Sequence, residues 1–219
     1  DTVAGGTGTD ILQISNASTV VDASFTNITS VETLNQGTGG ANQTITLGAL
    51  ANASGLATIQ GNGAGVDVVT VGATFTNALR VDMATGDDNI DASATTGALN
   101  ARAAAAALTA ADTVKGGTGT GDVLTLTADN DGTGAVTTLI TGFETINVVA
   151  STTVTDDIVI TMGANSTQIA AGKILTVNAT ALTDTGATLT FVGTASETDG
   201  SLSVTGGNGA DTITGGGFN

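Results

Sequence analysis

The chain has 219 residues, a formal charge of −16 from 20 acidic against four basic side chains, and no Cys, His, Trp, Tyr or Pro. Without His or Cys the usual general base, the common nucleophile and the ligands of zinc and copper sites are missing, so no enzyme is expected and only oxygen donors for hard cations remain. The charge repels nucleic acid and anionic membrane surfaces, and no apolar run approaches the roughly 20 residues of a membrane helix, so neither nucleic acid nor membrane insertion is expected.

In chain order, the first feature is a glycine-aspartate loop leading into an apolar run, Asp1 to Leu12, which recurs from Asp112 to Leu124 with one residue inserted, Gly121. A second element, Ile28-Thr29-Ser30-Val31-Glu32-Thr33-Leu34-Asn35, recurs as Ile140-Thr141-Gly142-Phe143-Glu144-Thr145-Ile146-Asn147. A repeat array follows, with units expected at 1–111 and 112–205 and the truncated start of a further unit at 206–219. Between the copies lie two degenerate loops, 62–69 around Asp67 and 85–90 around Asp88.

Short runs such as Thr44-Ile45-Thr46-Leu47, Val68-Val69-Thr70-Val71, Leu124-Thr125-Leu126-Thr127, Ile158-Val159-Ile160-Thr161, Leu175-Thr176-Val177-Asn178, Leu189-Thr190-Phe191-Val192 and Leu202-Ser203-Val204-Thr205 alternate an aliphatic with Thr, Ser or Asn. That period buries one face and leaves a hydroxylated face in water, so the chain reads as all-β. Only five Phe are present, which implies a narrow core filled by small aliphatics, as in a β-solenoid, with a β-sandwich as the alternative. One segment departs from the pattern: 98–108, dominated by Ala, has helix propensity and reads as a short helix between units.

The loops follow the template Gly-Gly-x-Gly-x-Asp-x-aliphatic-x and so resemble the calcium-binding RTX nonapeptide. The resemblance implies a Ca2+ ligand role for Asp10, Asp122 and Asp211 first, then Asp1 and Asp112, then Asp67 and Asp88. Gly6, Gly8, Gly117, Gly119, Gly207 and Gly209 would shape the loops. Read from the residues alone, the same loops are glycine-rich turns whose Asp bonds backbone amides. Because calcium takes six to eight oxygens, each loop would need donors from another segment.

Glu32 and Glu144 lie outside any metal template; flanked by the apolar Val31 and Phe143, they are expected at corners, accepting backbone amides. Together with the loops and the Thr, Ala and Gly-rich composition, they make the chain similar to bacterial surface-layer proteins of the RTX type. That resemblance implies a secreted structural segment of a calcium-stiffened lattice on the cell surface. Its partners would be further copies in a two-dimensional array, with cell-surface polysaccharide held through another domain. An extender region of a large RTX adhesin, or the calcium-binding part of an exported hydrolase, would share these motifs.

Overall fold

A computed structural model describes residues 2–37, 40–61, 63–128, 135–136, 140–150, 156–162, 168–193 and 200–216. Alternating aliphatic and hydroxyl side chains give strands with one dry face, and the chain disposes of these faces by coiling into a parallel β-solenoid of about eight turns. One wall is a nine-stranded sheet of Ile11–Gln13, Thr33–Asn35, Thr58–Gln60, Leu79–Asp82, Leu99–Ala104, Val123–Thr127, Thr145–Val149, Ile174–Asn178 and Ser201–Thr205. A second wall runs from Ser18–Val20 through Gln43–Leu47, Asp67–Val71, Asn89–Asp91 and Thr113–Lys115 to Ile140–Thr141. On the later turns a four-stranded sheet, Ala135–Val136, Asp157–Thr161, Thr188–Val192 and Thr212–Thr214, carries the stack onward, and Val3–Ala4 pairs with Ile28–Thr29.

All seven alternating runs read from the sequence fall inside strands. Their inward residues stack in register: Leu12, Leu34, Ile59, Val81, Ala101, Leu124, Ile146, Val177 and Val204 form one column through the long sheet. Seven of the nine are buried, and the two end members, Leu12 and Val204, are partly buried because each has a neighbour on one side only. Each buried aliphatic contributes about 1.5–3 kcal/mol, so the column and its counterparts on the facing wall supply the main drive for coiling. Phe25, Phe75, Phe143 and Phe191 lie in the same core, and Val31 is buried.

The sequence copies 112 residues apart, Leu12 and Leu124, sit five turns apart, since Leu34, Ile59, Val81 and Ala101 intervene in the column. The coil passes from the first expected unit to the second without a break, because Asn89–Asp91 pairs directly with Thr113–Lys115.

The expected helix over 98–108 is corrected by the structure: the segment is the strand Leu99–Ala104 followed by a 3-10 turn, Ala105–Ala107. Leu99, Ala101 and Ala103 alternate inward, and parallel partners on both sides satisfy the backbone. Ready-made neighbours outweigh the few tenths of a kcal/mol per residue by which Ala favours a helix. Among the described residues the α-helix is Ala49–Ser54, and its first turn is capped from the previous coil: Asp22 Oδ1 accepts the amides of Gly48 and Ala51, and Oδ2 that of Leu50.

Candidate functional site

At a solenoid corner the strand ladder is interrupted, and backbone amides there need acceptors from elsewhere. This chain meets the need with short carboxylates. At the best-matched loop, Asp122 is fully buried; its Oδ1 accepts the amide of Leu99 one turn earlier at 2.6 Å, and its Oδ2 accepts the amide of Gly117 in its own loop at 2.9 Å. The amide of Asp122 in turn donates to Glu144 Oε2, one turn later, at 2.9 Å, and the inserted Gly121 donates to the same oxygen at 3.1 Å. Gly121 has φ +91, a conformation that admits the extra residue without strain only because it lacks a Cβ. Three successive turns are thus clamped through one carboxylate pair. Burial raises the Asp122 pKa above its ordinary value, the two amide bonds oppose this, and the Glu144 charge adds to the rise.

The first copy repeats half of the arrangement. Glu32 Oε2 accepts the amide of Asp10 at 2.9 Å, so both glutamates hold the corner position read from the sequence. Asp10 differs in one respect: its Oδ2 is buried without a hydrogen-bond partner. In the third loop Asp211 Oδ1 accepts the amide of Leu189 at 2.8 Å. Asp1 and Asn62 lie outside the described residues.

The degenerate loops converge on a different wall. Asp67 Oδ1 accepts the amide of Gln43, Asp88 Oδ1 that of Asp67, and Asp112 Oδ1 that of Asp88, at 3.0, 3.0 and 2.6 Å. Asp112 Oδ2 also takes the amide of Thr109. Three aspartates therefore stack as a buried ladder, each reaching back one turn. Burial pushes the middle member, Asp88, up to about 6; the amide of Asp67 opposes this, and the charges of Asp67, Asp112 and Asp87 reinforce it. Burial also raises Asp67.

The loop glycines are placed by packing. A Cβ on Gly117, Gly119, Gly207 or Gly209 would strike a carbonyl of the preceding turn, at Thr95, Thr96, Leu182 and Ala187 respectively, while Gly6 and Gly8 on the first turn face open space. The residues between them tie the turns, with the amide of Thr118 donating to Thr95 O and that of Asn208 to Leu182 O. Gly209→Ala, driven into the Ala187 carbonyl, is expected to destabilise by about 2 kcal/mol in urea denaturation. An unchanged midpoint would refute the close approach.

Sequence reasoning missed the pairing of each carboxylate with an amide on another turn, and with it Asp22 and Asp157, the latter accepting the amide of Thr188. Their local position held a signal: Gln43, Asp67, Asp88 and Asp112 all directly precede or begin a β-run.

Calcium needs six to eight oxygens, preferably several carboxylates. At Asp122 both carboxylate oxygens are taken by amides, and Asp211 commits one of its own. Among the described residues no three acidic side chains converge on one point. The donor sets at these corners therefore do not fit a calcium ion as they stand; among the described residues the buried side-chain oxygens without a hydrogen-bond partner are Asp10 Oδ2 and Gln43 Oε1, on different loops. Comparison with family models, curated proteins and solved structures yields no match.

Proposed function

We propose that the chain is a structural segment of a bacterial surface-layer lattice protein, a stiff spacer in which carboxylate-to-amide bonds clamp each turn to the next. The observation that supports this most is the unbroken in-register column of nine strands. A rod built from parallel pairing resists bending because every turn shares backbone hydrogen bonds with its neighbours. The acidic composition supports the same reading, since Asp22, Asp67, Asp88, Asp112, Asp122, Asp157, Asp211, Glu32 and Glu144 each accept a backbone amide of another turn. The setting is the extracellular face of the cell, and the partners are further copies of the same protein.

Calcium has a small part in this proposal, because the carboxylates at Asp122 and Asp211 are already engaged. Chelation is expected to shift the melting temperature of this segment by no more than about 4 °C, the equivalent of about 1 kcal/mol in a chain of this size. The lattice role is tested by electron microscopy of the full-length protein. Ordered two-dimensional arrays are the expected result, and isolated elongated particles at every concentration would make the segment an adhesin extender instead.

A further inference from the structure

Outward residues of the nine-stranded sheet stack as regularly as the inward ones. In register run Gln13, Asn35, Gln60, Asp82, Arg102, Thr125, Asn147, Asn178 and Thr205, every one polar. Their charge is unlike that of the whole molecule. In a chain of net −16, the strands of this sheet carry only Arg80, Arg102 and Asp82, a balance of +1. Arg80 and Asp82 neutralise each other at 2.6 Å, so Arg102 is the one charge on these strands without an ion-pair partner among the described residues. Beside it lies a groove of about 380 Å³ lined by Asn100, Arg102, Thr125, Asn147, Asn178 and Thr180.

We propose that this groove binds an anionic polysaccharide running along the solenoid axis, with a carboxylate-bearing sugar seated on Arg102. The guanidinium presents a planar pair of donors that matches a carboxylate, and the flanking amides and hydroxyls offer both donors and acceptors to sugar hydroxyls. Successive turns repeat every ~4.8 Å, so a linear polymer meets a polar side chain at each step. No aromatic ring lines the groove and its apolar members are only the small Val148, Val149 and Ala181, which argues against a protein partner, since protein interfaces centre on large aromatic and apolar anchors. The same lack of aromatic rings argues against single-stranded nucleic acid, whose bases need stacking platforms. Without stacking platforms each sugar is held weakly, and affinity grows with the number of turns covered.

Affinity electrophoresis of the protein through gels containing polygalacturonate or neutral dextran tests the proposal. Retardation by polygalacturonate alone is expected, weakened about tenfold in R102Q and relieved as salt rises from about 20 to about 300 mM, where exposed charge pairs are screened. N147A/N178A should weaken it as well, and T46A on the other wall should leave it unchanged. Equal retardation by both polymers, retention in R102Q equal to wild type, or no retardation at all would overturn the assignment. Circular dichroism of R102Q and N147A/N178A confirms that a loss is not unfolding.

Discussion

Asp122→Ala is expected to cost about 2–6 kcal/mol of stability, because it strands two amides, those of Leu99 and Gly117, in the interior at about 1–3 kcal/mol each. Asp122→Asn keeps one acceptor oxygen and should lose about half as much. The asymmetry between the two variants is the informative part. A carboxylate that served mainly as a cation ligand would lose its function equally in both, and without the cation neither change would matter. Urea denaturation in chelator reads the difference directly. Indistinguishable midpoints for wild type and Asp122→Ala would show that these amides do not depend on the carboxylate.

The second large effect is a pH dependence of unusual sign. Asp88 has a folded pKa of about 6 against an ordinary value of 3.8, so the folded state binds its proton more tightly than the unfolded chain does. The stability contributed by that proton is fully present below pH 3.8 and is lost as pH rises through about 6. At about 1.4 kcal/mol per pKa unit, the ionised ladder at pH 8 is destabilised by about 3 kcal/mol relative to its protonated form. Asp67 and Asp122, raised by the same burial, act in the same direction. Melting temperature is therefore expected to rise as pH falls from 8 to about 4.5. Asp88→Asn, which holds the acceptor oxygen without the charge, should be more stable than wild type at pH 8 and show a flatter profile. A wild-type melting temperature that falls steadily over the same range would contradict the burial of the ladder.

How far the sequence disclosed this arrangement depended on whether the determining interactions were local. The strands were legible because alternation of aliphatic and Thr, as in Leu124-Thr125-Leu126-Thr127, is a property of adjacent residues. Glu32 and Glu144 were legible as corner residues because Val31 and Phe143 beside them had to point inward. The alanine run was misread because its fate was set by neighbours, Leu79–Asp82 and Val123–Thr127, about 20 residues away on either side. The aspartate ladder was hidden for a related reason. Turn length varies from 20 residues between Val81 and Ala101 to 31 between Ile146 and Val177, so no fixed period aligns each carboxylate with the amide it accepts. The glycine-aspartate spacing marked the corners correctly, but one motif suits both a cation cradle and an amide clamp, and only the partner atoms distinguish them.

Hydrogen exchange at the amides of Leu99 and Gly117, followed with calcium and with chelator, tests the clamp most directly. Each donates to Asp122 in the folded chain, and an amide bonded to a buried carboxylate opens only with its surroundings. Slow exchange at both positions in chelator, unchanged by calcium and lost in Asp122→Ala, is the predicted result. Rapid exchange in chelator that becomes slow only when calcium is added would contradict it.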